Sequence, residues 1–166
     1  CDRRQRQMCI RDRSWRVFEA GKADSVILDY LCEHFNGTTS QMYEILIQAV
    51  GEHVETYDLE ERLLAQMLFT GSCDQIDSVF DLYMKRKRTR ESMVKAYFTQ
   101  KCIQYFLEEK EIDSQIFQYL KNAVGADPGK EKIPTIYLLA LTRYYAGQAE
   151  ITADEKKQLQ IMVCLL

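Results

Sequence analysis

Six cysteines, two histidines and several acidic pairs are the raw material for chemistry in this 166-residue chain. Cys32 and His34 combine a thiol with an imidazole, the pairing used for nucleophilic attack. Two positions apart on a helix, they point about 200° apart and cannot face each other. Cys32 therefore reads as a core residue and His34 as a solvated or capping one. His53 falls just past a helix C-terminus, where a partly positive ring suits the helix dipole. Glu60-Glu61 and Glu108-Glu109-Lys110-Glu111 offer adjacent carboxylates, but adjacent helical side chains diverge. Both runs read as exposed helix ends rather than as a general acid and base. Two histidines without HExxH spacing assemble no metal site, and GxxxxGK, GxGxxG and GxSxG are absent. The expectation is a non-enzyme with no catalytic residue, cofactor or metal.

The sharpest charge feature is Lys85-Arg86-Lys87-Arg88-Thr89-Arg90. It can be a solvated helix end whose cations complement the dipole, or a patch for an acidic protein partner. No aromatic residues interleave it, so nucleic acid is not expected. Charge elsewhere agrees. Residues 1–13 hold five arginines and two aspartates; without them the remainder has 17 basic and 23 acidic residues, net −6, which disfavours polyanions. That opening stretch has no apolar periodicity and no signal-peptide core. It resembles translated sequencing adapter and is expected to be an artefactual or disordered tail. Cys32, Cys73, Cys102 and Cys164 are scattered, without CxxC spacing, which suits a reducing, cytoplasmic setting. The apolar run Ile136–Leu141 is far shorter than the roughly 20 residues a membrane span needs.

These residues must be carried by helices, because apolar residues recur at a period of 3.6 and strict alternation is absent. Eight helices are predicted, at about 24–35, 39–52, 59–70, 73–86, 90–109, 113–124, 134–146 and from 152 onward. The seventh is apolar nearly all round and should be central. Thr38 with Gln41, Ser72 with Gln75, Thr152 with Glu155 and Asp58 with Glu61 have capping-box spacing. Pro134 fits a first helical turn, and Asp127-Pro128-Gly129 reads as a loop. Phe35-Asn36-Gly37-Thr38 with Gln41 matches Phe69-Thr70-Gly71-Ser72 with Gln75, 34 residues later, and Tyr145-Ala146-Gly147 repeats the ending. Gly37, Gly71 and Gly147 are each expected to take a left-handed position that closes the first helix of a pair. Ser40–Leu46 and Ser114–Leu120 also match, about two repeats apart.

A helix–glycine turn–helix unit at this period resembles the tetratricopeptide repeats, over about Asp24 to Leu166, without their Trp and inter-repeat Pro. The stretch from Ser14 is also similar to a family of large, uncharacterised bacterial proteins with helical-repeat segments. The resemblance implies an all-α superhelical array of about four antiparallel helix pairs, one domain over 14–166. The uncapped apolar run at Gln160–Leu166 leads us to expect a piece of a longer chain, cut at both ends. The expected function is a non-catalytic protein–protein interaction or scaffold module, whose partner is a protein, a peptide or a neighbouring segment of the same chain. The alternative is a lid or spacer of an enzyme whose active site lies outside this stretch. Arg62, Gln66, Gln100, Gln104 and Arg143 interrupt apolar faces on first-of-pair helices. By analogy with other repeats they are expected to line the partner groove.

Overall fold

A computed structural model describes residues 3–70, 75–108, 110–125, 133–148 and 150–165. Among these residues every regular element is an α-helix and there is no strand. The helices are α1 (Arg3–Glu19), α2 (Ser25–His34), α3 (Thr39–Gly51), α4 (Tyr57–Thr70), α5 (Ile76–Met84), α6 (Glu91–Leu107), α7 (Ser114–Gly125), α8 (Thr135–Ala146) and α9 (Ala153–Leu165). Eight of them lie where the apolar periodicity puts them. The ninth, α1, runs through the stretch expected to be an artefactual or disordered tail. Residues 14–166, read from sequence as one domain, lie in two compact units, Cys1–Thr89 and Arg90–Leu166.

In the first unit each helix packs on the next, and α2 also packs on α4. The buried stripes are Leu28, Leu31 and Cys32 of α2, Met42, Ile45, Leu46 and Ala49 of α3, and Leu63, Leu64 and Met67 of α4, with Val79 and Phe80 of α5. Trp15 lies between Phe18 and Phe35, with ring centroids 5.3 and 4.7 Å away, and pins α1 to the α2–α3 turn. In the second unit α8 packs on α6, α7 and α9, the central place its composition predicts. Its Tyr137 is buried, donates to the Lys95 carbonyl at 2.9 Å and meets the Tyr119 ring edge-on at 6.0 Å. Tyr119 in turn stacks on Phe98 of α6.

The caps follow the sequence in part. Thr38 and Gln41 form a full capping box, the Gln41 amide donating to Thr38 Oγ1 and the Thr38 amide to Gln41 Oε1. Thr152 and Glu155 form another, and its hydrogen bonds hold the Glu155 carboxyl below the usual carboxylate range. Asp24 and Asp113 cap Ile27 and Ile116. The Asp58–Glu61 box does not form, because α4 starts at Tyr57. Its first amides, Thr56 and Tyr57, donate instead to the Glu55 carboxylate at 3.1 Å. Pro134 sits at the cap of α8, one position before the first turn. The Ser72 box, Gly71 and the 127–129 loop lie outside the described residues.

The glycine expectation is corrected. Neither Gly37 nor Gly147 is left-handed; among the described residues the positive φ angles belong to Gly21 (66°) and His53 (57°). Gly37 is needed for space: a Cβ there would lie 2.5 Å from the Phe35 ring and 2.6 Å from Gln41 Oε1. Gly21 and His53 each close a helix in the same way. At the end of α3 the His53 amide donates to the Val50 carbonyl at 3.2 Å and the Val54 amide to that of Ala49 at 2.9 Å. This is the Schellman arrangement, with an exposed histidine where glycine is the unstrained residue. His53→Gly is therefore expected to raise the free energy of unfolding by about 1 kcal/mol, read from the urea midpoint at unchanged slope.

Candidate functional site

The strongest polar constellation is in the first unit. Glu60 follows the spacing of Leu63, Leu64 and Met67 along α4, which turns it into the core, and it is 0% exposed. A buried carboxylate needs a cation and hydrogen-bond donors. Arg86, just after α5, supplies them: its Nη2 lies 2.9 Å and its Nε 3.4 Å from the two Glu60 oxygens. The same Nη2 donates to Thr56 Oγ1 at 3.0 Å, and Thr56 donates its own hydroxyl to Glu60 at 2.6 Å. Glu55 stands 3.6 Å from Arg86 Nη1. The bond to Glu60 raises the Arg86 guanidinium above its ordinary value, against the opposing effect of burial. So Glu60 is no exposed helix end, and Arg86 is no solvated member of a basic run.

Beside this network lies a cleft of about 510 Å³. Asp29, Cys32 and Glu33 of α2 form one side, with Glu55, Tyr57 and Asp58 at the start of α4. Arg86, Lys87 and Arg88 form the other. The Tyr57 hydroxyl donates to the Arg88 carbonyl at 2.7 Å and fixes that turn against α4. Burial, then the nearby Asp29, pushes the Cys32 thiol up to about 12. His34 is turned to Glu33, 3.4 Å away, and to the edge of the Tyr30 ring.

The five residues expected to line a groove have different surroundings. Arg62 donates through Nη1 to the Phe35 carbonyl at 2.6 Å, through Nη2 to the Cys32 carbonyl and through Nε to that of Asp58. It satisfies carbonyls that the end of α2 leaves without amide partners. Gln66 donates to the Gly37 carbonyl at 3.3 Å, while its Oε1 is buried without a partner. Both brace the α2–α3 turn from α4. In the second unit Gln104 is buried and Gln100 half-buried. Arg143 is exposed and lies over the Tyr105 and Phe106 rings, 5.2 and 5.3 Å from their centroids. Cation–π contact holds its guanidinium outward on α8. The Glu60–Arg86 pair was missed from sequence, although the spacing of Glu60 with the apolar stripe of α4 carried the signal.

The described residues form an all-helical protein with an open charged cleft in its first unit. The family model described as a family of unknown function (DUF5717), C-terminal, matches residues 9–166. The chain belongs to that family. The comparisons with curated proteins and with solved structures return no match. Among the described residues no helix is long and apolar enough to cross a membrane.

Two outcomes follow from this chemistry. Arg86→Met strands the Glu60 carboxylate and is expected to cost about 3 kcal/mol, the low end for a broken buried pair because the Arg86 side chain is 32% exposed. Adding Glu60→Met should recover at least half of that loss in chemical denaturation. The second concerns Cys32 and Cys102, both pushed from 9.0 to about 12 by burial. Raised thiol values favour the folded state fully below pH 9, and that advantage falls as pH rises from 9 towards 12. Iodoacetamide at pH 8 should leave both unmodified by mass spectrometry until denaturant is added, and the urea midpoint should decline above pH 9.

Proposed function

We propose that the chain is a non-catalytic helical-repeat module of a larger bacterial protein, an α-solenoid of the tetratricopeptide kind that holds a protein or peptide partner or a neighbouring segment of its own chain. The observation that carries this reading is the order of packing within each unit. Successive helices pack on one another, and alternate helices also meet, α2 on α4 and α6 on α8. Stacked units of this kind leave one face of their first helices for a partner. Free thiols at Cys9, Cys32, Cys102 and Cys164 fit the cytoplasmic setting that belongs to this reading.

The five candidate residues divide into two roles. Arg62, Gln66 and Gln104 shape the first helices from within. Gln100 and Arg143 meet the partner. Arg143 has the features of an interface anchor: a guanidinium held in place by aromatic rings, on a helix that also exposes Leu139. Peptides of about twelve residues selected by display on the full chain should converge on a consensus of micromolar affinity, and Arg143→Ala should weaken them about tenfold. A selection that yields no consensus, or peptides that bind Arg143→Ala and Gln100→Ala as tightly as the parent, would overturn the proposal.

A further inference from the structure

The cleft of the first unit carries charges of both signs, and four of them, Asp29, Asp58, Lys87 and Arg88, form no ion pair with one another. Asp29 and Asp58 stand on the helical side and Lys87 and Arg88 on the turn after α5, and no ion pair joins the two sets. Arg86 is different, since Glu60, Thr56 and Glu55 already engage it. The walls are also fixed in place. The Tyr57 bond to the Arg88 carbonyl holds one, and the Arg62 bonds to Cys32 and Phe35 hold the end of α2 that forms the other. Opposite charges that the fold keeps from collapsing together can each be satisfied by a ligand that brings both complements. A volume of about 510 Å³ is ample for a few residues of extended chain.

We propose that this cleft receives an extended peptide segment of a protein partner with a cationic and an anionic side chain a few residues apart. The cation lies against Asp29 and Asp58 and the anion against Lys87 and Arg88. This assignment rests on the partner-binding reading above and gives it a recognition chemistry. Electrostatic complementarity of this kind sets the direction of the bound segment, because the reversed order places like charges together. An all-basic or all-acidic segment satisfies one wall and is repelled by the other.

The test uses the full chain and fluorescein-labelled, end-blocked heptapeptides, followed by anisotropy at about 50 mM salt, where exposed charges are weakly screened. One series carries a lysine and a glutamate separated by one, two or three residues, in both orders. The controls carry two lysines or two glutamates. At least one mixed peptide should bind tenfold tighter than both controls and than its own reversed order. Lys87→Glu with Arg88→Glu should abolish that preference, and Asp29→Asn with Asp58→Asn should weaken binding about tenfold, with thermal unfolding of both variants unchanged. Mixed peptides no tighter than the controls, or insensitive to the Lys87→Glu, Arg88→Glu change, would overturn the assignment. If display-selected peptides still depend on Arg143 when these probes fail, the cleft assignment falls and the wider reading stands.

Discussion

Glu60 brings a carboxylate into the apolar face of α4, and the first unit is arranged so that this charge is never alone. An isolated carboxylate in a protein interior costs several kcal/mol, far more than one buried leucine contributes. The cost is contained because three donors converge from two directions: the Thr56 hydroxyl from the start of the same helix, and two guanidinium nitrogens of Arg86 from beyond α5. Replacing the pair with apolar residues of similar size would be tolerated better than losing one partner. Its value is therefore positional. It ties the end of α5 to the start of α4, and it places Lys87 and Arg88 beside the cleft.

Arg62 and Gln66 do for the α2–α3 turn what Arg86 does for the end of α5. A helix C-terminus leaves carbonyls without amide donors, and here α4 provides them from the side. The guanidinium also brings positive charge to the negative end of the α2 dipole. Burial lowers its proton affinity, yet an arginine stays charged throughout the physiological range. The turn itself is tight because Gly37 lets the Phe35 ring approach its backbone, and Trp15 stacks on that ring. Packing, capping and charge thus meet at one corner of the unit.

The helices were legible in the sequence because their signals are local. A stripe at a period of 3.6, closed by Thr38 with Gln41 or Thr152 with Glu155, needs no tertiary information. Helix α1 was not legible, since its described residues form no apolar stripe; Trp15 anchors it against a residue 20 positions away. Local motifs also misled where the backbone had a closer partner. Asp58 has cap spacing, but α4 already starts at Tyr57, and Glu55 accepts from the Thr56 and Tyr57 amides at its head. Gly37 and Gly147 were read as left-handed by analogy, while that conformation went to Gly21 and His53, where the helix-closing hydrogen bonds actually run. The polar residues chosen from sequence stand on α4, α6 and α8. Whether such a side chain faces outward or spends its donors on a neighbouring turn is a tertiary fact, and Arg62 and Arg143 fall on opposite sides of that line.

The bonds that organise the first unit span short stretches of chain. Arg62 reaches carbonyls 27 and 30 residues earlier, and Arg86 meets Glu60 across 26. Closing loops of this size costs little entropy, and each closure is complete before the following helix is required. The unit can therefore assemble in the order in which it is synthesised. The open end of α2 waits only until α4 has emerged, and the charge of Glu60 stays hydrated until Arg86 arrives to receive it. A fold stitched at intervals of 26 to 30 residues favours rapid, stepwise folding, with few long searches in which an apolar face stands bare.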